Sequence, residues 1–261
     1  MQTGVSHKSE DRTTLAVTAA LDLASLVLQS GGSTPMADTT LKHVLKGYRA
    51  EEISTVYRLD FIAASSVATG APWTVLRPLG LSGLHLVRAS EATVLGERLA
   101  KREVETGDFR SQVERIKQLA SPNRWTTMLA AACAAAAFSR STGGDWGGMG
   151  VVLVAAAVGQ FVRSVLLKRT LSRWAITFFC ALISGFIAVA GLRLGLSRVA
   201  GATLIGSVIY MVPGIPLING FIDIASGKHL FLGVQRLFDA SVSFFIMTVA
   251  VAIANSALQR N

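Results

Sequence analysis

The sequence predicts an α-helical membrane protein: a five-span transmembrane helix bundle preceded by a small cytoplasmic α/β domain. The 261 residues are 51% hydrophobic and only 16% charged, which is too apolar for a chain of this size to bury in one soluble core. Charged residues recur every few positions up to about Arg124, whereas the remainder consists of long apolar runs. We therefore expect a cytoplasmic domain over residues 1–122 and a transmembrane domain over residues 123–261.

Four apolar runs reach the roughly 17–25 residues that a helix needs to cross the hydrocarbon core. They are 148–167, 174–194, 199–218 and 237–258. A fifth segment, about 125–142, is shorter and mostly alanine, so its insertion free energy per residue is weaker. We interpret it as a span with Trp125 at the interface; the alternative is a helix packed among the others without crossing.

The charges between the spans predict an N-terminus in the cytoplasm and a C-terminus outside. No signal peptide is expected, because the first long apolar segment begins only after about 120 residues. A modest excess of basic residues falls on the predicted cytoplasmic connections. The net charge of +9 is expected to attract the anionic lipid bilayer and not nucleic acid, since no basic patch is interleaved with aromatic residues. The predicted location is the inner (plasma) membrane, as a multi-pass protein.

The N-terminal domain is predicted to combine helices with one small sheet. The first helix ends at Gly31 or Gly32, and Thr34 and Pro35 begin a second helix as its N-cap and first residue. Segments 53–67, 72–79 and 84–90 are rich in β-branched and aromatic residues and are predicted as strands. Two further helices are expected, at about 91–105 and 108–120.

Sequence signatures of catalysis are mostly missing. The chain has no Gly-rich phosphate loop ending in Lys-Ser/Thr, no HExxH helix and no GxSxG elbow. The four histidines are too dispersed to indicate a metal site, so we predict no catalytic residues, metal or cofactor. Asp22, Asp60 and Glu91 show no recognisable spacing, but hydrolase activity of the cytoplasmic domain stays open, as does a membrane-anchored sensor.

An apolar stretch that begins in the fourth span and continues beyond it, "GSVIYMVPGIPLINGFIDIASG" (206–227), contains two prolines. Pro213 and Pro216, on either side of Gly214, lack backbone N–H groups, and each ring clashes with the carbonyl one turn earlier. The helix is therefore expected to kink or unwind. Broken helices of this kind line substrate or ion sites in transporters; the alternative is a proline that only terminates the span.

Four polar residues complete the candidate pathway. Asn219 and Asp223 lie four apart, so they share a face if the helix resumes. Asp223 is a candidate for carrying a coupling proton or cation, with a helix cap as the alternative. Arg236 and Asp239 are three apart and are expected to form a local pair; the second possibility is that Arg236 faces the pathway and recognises a substrate carboxylate.

The sequence resembles the N-terminal half of the threonine/serine exporter family from about residue 15 to 258. The resemblance rests on "LDLASLVLQSGGST" and above all on "PGIPLINGFID", Pro213 to Asp223. It implies a component of a secondary exporter for small carboxylate-bearing metabolites, either threonine/serine-like amino acids or succinate-like dicarboxylates. It also implies a small membrane partner subunit, because this chain looks like the larger, separate component. The stretch "GGSTPMADTT" departs from the arginine- and glutamate-bearing stretch of the family.

Overall fold

Helices account for most of the chain in the computed structural model. The structure describes residues 3–48, 50–68, 71–80, 83–104 and 108–259. Its contacts divide the chain into two units, Met1–Ser121 with Ile215–Leu237, and Pro122–Gly214 with Phe238–Asn261. Ile215–Leu237 falls within the predicted transmembrane domain, 123–261, but its contacts group it with the N-terminal residues.

Among its described residues, the first unit has four helices and an antiparallel sheet, followed by the returning segment Ile215–Leu237. The helices are α1 (Thr3–Gln29), α2 (Thr34–Gly47), α3 (Leu86–Ala100) and α4 (Phe109–Lys117). The strands are β1 (Glu51–Tyr57), β2 (Phe61–Ala68) and β3 (Ala71–Pro78), in the order β1-β2-β3. Tyr57 pairs with Ile62 across the first hairpin, and Phe61 pairs with Pro78 across the second.

The predicted glycine turn separates α1 from α2, with the cap one residue earlier than expected. Gly31 adopts a φ of +89°, a conformation open to glycine because it lacks a Cβ atom. Ser33, not Thr34, is the N-cap, and its hydroxyl accepts a hydrogen bond from the Met36 backbone N–H. Thr34 and Pro35 are then the first two residues of α2, where proline costs no hydrogen bond.

Two strand predictions are wrong: 53–67 in its limits, and 84–90 in its type, since 86–90 are the first residues of α3. The predicted strand 53–67 is a hairpin, because the chain reverses between β1 and β2 and the Arg58 N–H donates to the Phe61 carbonyl at 2.9 Å. The predicted strand 84–90 instead leads into α3, which His85 caps by accepting a hydrogen bond from the Arg88 N–H. Val87 has strand propensity, but the helix buries Ala92 and Leu99 on one face, and that burial outweighs local preference.

The core of the first unit lies among α1, α2 and α3 and the inner face of the sheet. Leu21, Leu41 and Leu99 are fully buried there, together with Ile62 of β2. Leu232 of the returning segment belongs to the same apolar cluster. Burial of this apolar area supplies the main stabilising free energy of the unit.

The second unit is built from helices of the apolar runs. They are α5 (Arg124–Ser141), α6 (Trp146–Leu166), α7 (Arg173–Arg193) and α8 (Ala200–Val208), which continues as a 3₁₀ turn, Ile209–Met211. Two helices contain residues of both units, namely α9 (Gly214–Ala225) and α10 (Leu230–Gln259).

The length and composition of some, but not all, of the predicted spans support membrane crossing. Among the described residues, three helices are long and apolar enough, namely Trp146–Leu166, Arg173–Arg193 and Leu230–Ala257. A bent pair, Ala200–Met211 with Gly214–Ala225, makes a fourth if it is one broken span. The alanine-rich α5 is not in this group, so the five-span count stays a prediction.

Candidate functional site

The predicted break in the fourth span is present, and it lies at Pro213. The 3₁₀ turn ends at Met211, and Val212 and Pro213 are outside any helix. Helix α9 begins at Gly214. Pro216 is the third residue of α9, where a backbone N–H has no intrahelical acceptor, so this proline is accommodated without a kink. Of the two prolines, Pro213 alone therefore coincides with the interruption.

The buried face of α9 carries the predicted polar residues. Asn219, Gly220 and Asp223 are its buried residues, so the helix resumes after the break and Asn219 and Asp223 share a face, as predicted. Phe221 and Ile222 are exposed on other sides of the helix. The buried side chains of α9 are thus polar, while Phe221 and Ile222 point away from the protein.

Two glycines bring α9 and α10 close together. A Cβ atom on Gly233 would lie 2.7 Å from the Gly220 carbonyl oxygen, and a Cβ on Gly220 would lie 3.0 Å from the Leu237 side chain. Larger residues would therefore force the helices apart. This close approach places the next turn of each helix, carrying Asp223 and Arg236, within contact distance.

Asp223 and Arg236 form a buried ion pair. Arg236 Nη1 donates to Asp223 Oδ2 at 2.6 Å. The Asp223 side chain is fully buried and the Arg236 side chain is 11% exposed. Removing two charges from water is costly, and the cost is repaid only while both partners stay in place. A pair of this kind is weak evidence for stability and is typical of a site with a function.

The predicted Arg236–Asp239 pair is wrong. Arg236 pairs with Asp223, and Asp239 accepts a hydrogen bond from Arg173 Nη2 at the start of α7. The i,i+3 spacing allowed the local pair, but each side chain has a partner on another helix. Among the predicted site residues, the structure brings together Asn219, Asp223 and Arg236, and it places Asp239 in a separate ion pair.

The glycine turn before α2 also reaches this site, which the sequence did not indicate. Asn219 Nδ2 donates weak hydrogen bonds to the carbonyls of Gly31 at 3.3 Å and Gly32 at 3.4 Å. The Thr34 hydroxyl lies beside the Asp223 carboxylate. Because these contacts join residues almost 190 positions apart along the chain, no local pattern predicts them.

Two oxygen atoms of the site lie on neighbouring side chains without a well-formed hydrogen bond. Within the described part of the chain, Asp223 Oδ1 and Thr34 Oγ1 are buried and neither completes a hydrogen bond of ordinary geometry. Both side chains have no exposed surface. Buried polar atoms without well-formed hydrogen bonds are uncommon and costly, so the carboxylate is held firmly only at Oδ2, by Arg236.

A second polar cluster lies in the same unit. Asp38 accepts hydrogen bonds from Tyr57 Oη at 3.2 Å, from Thr55 Oγ1 at 2.9 Å and from Lys42 Nζ at 2.6 Å. The His229 ring meets the Tyr57 ring edge-on, with centroids 5.1 Å apart. Burial, reinforced by the negative charge of Asp38, raises the pKa of Tyr57 above its usual value. Burial also lowers the pKa of His229.

Metal binding has no support in the described ranges. No group of three or more His, Cys, Asp or Glu side chains lies close enough there to hold a metal ion. The candidate site is thus a small set of charged and polar side chains at the start of α2, on α9 and on α10.

Comparison with known proteins places the whole arrangement in one family. Residues 18–257 match the family described as "Putative threonine/serine exporter". The "Probable succinate transporter subunit YjjP" of Klebsiella aerogenes is 26% identical over 95% of each chain. The protein of the same description from Escherichia coli (strain K12) is 22% identical over 87% of this chain and 89% of that one. No solved structure matches the sequence. The chain belongs to the threonine/serine exporter family.

Proposed function

We propose that the protein is a membrane subunit of a secondary exporter for a small carboxylate-bearing metabolite. Its substrate is an amino acid such as threonine or serine, or a dicarboxylate such as succinate. The observation that carries this proposal is the buried Asp223–Arg236 pair, which lies on two apolar helices directly after the proline break. Burying charged groups in such helices costs free energy, and such groups are found mainly along the pathways of substrates and ions.

Arg236 is the proposed substrate-recognition residue. Its guanidinium group presents several N–H donors in a planar fork that matches the two oxygens of a carboxylate. In the structure one of these donors already binds a carboxylate, that of Asp223. Asn219, Asp223 and the break at Pro213 and Gly214 are proposed to form the remainder of the pathway, whereas Asp239 is tied to Arg173.

The partner and the orientation are part of the proposal. Two relatives are named transporter subunits, which supports a second, small membrane protein as a partner. We place the protein in the inner membrane with five spans and a cytoplasmic N-terminus. In that orientation the proline break lies toward the cytoplasmic end of the fourth span, where a metabolite leaving the cell first meets the membrane.

Efflux measurements test the proposal. Cells are loaded with radiolabelled succinate or threonine and express this chain alone or together with a candidate small membrane partner. We expect efflux of one label when both proteins are present, and its loss in Arg236→Gln, because the remaining amide cannot neutralise a carboxylate.

A matched control separates this effect from general damage. Asp22 and Arg77 form an ion pair at 3.0 Å in which both side chains are partly exposed, so Asp22→Asn removes an ion pair outside the site. We expect Asp22→Asn to export as the unaltered chain does. Efflux that persists in Arg236→Gln at normal membrane levels would contradict the role of Arg236, and no efflux of either label would contradict the proposed function.

A further inference from the structure

The surroundings of the Asp223 side chain have the composition of a carboxylate-binding site. Arg236 supplies a guanidinium donor at 2.6 Å. Thr34 lies beside the same carboxylate and contributes a hydroxyl group. Thr34 is also the first residue of α2, a helix of 14 residues, and the N-terminal end of a helix carries partial positive charge and free N–H groups that favour anions. Asp223 itself is the anion in this site.

The fit of Asp223 to the site is incomplete. One carboxylate oxygen, Oδ2, binds Arg236, whereas Oδ1 and the Thr34 hydroxyl oxygen are buried without completed hydrogen bonds among the described residues. A free carboxylate can take the bidentate geometry that guanidinium prefers and can also accept from the hydroxyl.

We propose that Asp223 is an internal stand-in for the ligand, and that a ligand carboxylate displaces it from Arg236. This proposal rests on the proposed function and describes how the ligand binds at its site. Once Arg236 binds the ligand, Asp223 is left as a buried carboxylate without a counter-charge, a state that is strongly disfavoured. It must then be neutralised in one of two ways, which depend on the ligand.

A dicarboxylate brings no positive charge to Asp223. In that case Asp223 takes up one proton from the buffered solvent for each ligand bound. An amino acid brings an ammonium group that can pair with the Asp223 carboxylate directly. In that case no proton is taken up, because Asp223 stays ionised.

The other charged and titratable groups around Asp223 are few. Arg236 faces it from α10, and His229 acts on it from the connection between α9 and α10. His229 is in turn influenced by Asp38 and Lys42 of α2 and by Lys228. His229 is therefore the one alternative proton acceptor close to Asp223 among the described residues, and the test must separate the two.

Binding to the purified full chain, together with its partner if export requires one, tests the exchange. Succinate and threonine are titrated by calorimetry in two buffers of different ionisation enthalpy, which reports the protons taken up. For the unaltered chain we expect about one proton per bound succinate and none per bound threonine.

The Asp223→Asn variant should change the affinities for succinate and threonine in opposite directions. Succinate is expected to bind about tenfold more tightly and without proton uptake, because its competitor for Arg236 is gone. Threonine is expected to bind about tenfold more weakly, because its ammonium group loses an anionic partner. Asp22→Asn is the matched control and should match the unaltered chain.

The outcomes separate this inference from the proposed function. If the unaltered chain binds succinate without taking up a proton, the exchange is overturned, even if Asp223→Asn fails to fold. Proton uptake that persists in Asp223→Asn but disappears in His229→Gln also overturns it, because the proton is then bound by His229. Unchanged affinity in a folded Asp223→Asn also overturns it. Those results leave export intact, whereas a chain that binds and exports neither compound contradicts the proposed function itself.

Discussion

At the scale of single residues, Asp145 shows how one carboxylate organises two connections of the second unit. It is the N-cap of α6, and its Oδ1 accepts from the Gly148 N–H at 2.7 Å. The same oxygen accepts from Ser197 Oγ at 2.8 Å, and Oδ2 accepts from the Arg198 N–H at 2.8 Å. Hydrogen bonds from Arg198, Ser197 and Gly148 together lower the pKa of Asp145. The carboxylate therefore joins the connection before α6 to the one before α8.

The lowered pKa predicts that acid weakens this junction. The folded pKa lies below the unfolded value of about 4, so the stabilisation is complete above the unfolded pKa and is lost as pH falls through the folded pKa. We expect the unfolding temperature in detergent to drop less steeply between about pH 5 and 3 in Asp145→Asn than in the unaltered chain. Asp108, the N-cap of α4, makes no side-chain cap hydrogen bond, so Asp108→Asn should leave the acid response unchanged. Identical acid responses of both variants would contradict the assignment.

The candidate site was only partly predictable at this scale. The spacing of Asn219 and Asp223 is local, so helical geometry alone placed them on one face. The partner of Asp223 was not predicted, because the spacing favoured pairing of Arg236 with Asp239, three residues away. Thr34 carries no signal of its own in the sequence. Thr34 lies beside Asp223 only because the fold brings α9 next to the start of α2.

At the scale of secondary structure elements, local chemistry determined the break at Pro213, whereas tertiary packing determined the structure of segment 84–90. The break at Pro213 follows from the missing N–H of proline, which no packing can replace. The identity of segment 84–90 does not follow from local preference, because its leucines and valine suit either a strand or a helix. Burial of Ala92, Leu95 and Leu99 against other helices favours the helix, and that burial is visible only in the folded unit.

Close helix contact in the second unit depends on Gly159 of α6. A Cβ atom there would overlap the Tyr210 hydroxyl and Ser184 Oγ, which are hydrogen-bonded to each other at 3.1 Å. Ser184 Oγ also donates to the Ala155 carbonyl one turn before Gly159. Small residues of this kind allow helices to pack closely in membranes.

We expect Gly159→Ala to destabilise the second unit by about 1–3 kcal/mol, since overpacking forces side chains out of their rotamers. Gly150→Ala on the same helix is the control, because a Cβ atom at Gly150 would meet no other atom within 4 Å among the described residues. Thermal unfolding in detergent measures both. Adding Tyr210→Phe to Gly159→Ala should recover part of the loss, because it removes one of the overlapping atoms. Equal stability of the two alanine variants would contradict this account of the contact.

At the scale of the whole molecule, composition predicted the class of protein but not the grouping of its segments. Long apolar runs identify membrane helices because the hydrocarbon thickness fixes their length, and α6 and α7 match the predicted spans closely. The grouping of Ile215–Leu237 with the N-terminal residues had no counterpart in hydropathy. Hydropathy reports what a segment is made of, whereas its contacts depend on which residues face it.

The number of spans determines on which side of the membrane the chain ends, so the crossing of the membrane by α5 can be tested. With a cytoplasmic N-terminus, five spans including α5 put the C-terminus outside, whereas four spans without α5 return it to the cytoplasm. Full-length fusions at the C-terminus to alkaline phosphatase, which is active only outside, and to green fluorescent protein, which fluoresces only inside, distinguish the two. We expect active phosphatase and a dark fluorescent protein, because Arg124–Ser141 has enough residues to cross with slight local thinning. An N-terminal fluorescent fusion should be bright in either case. A bright C-terminal fusion would instead make α5 a packed helix that does not cross.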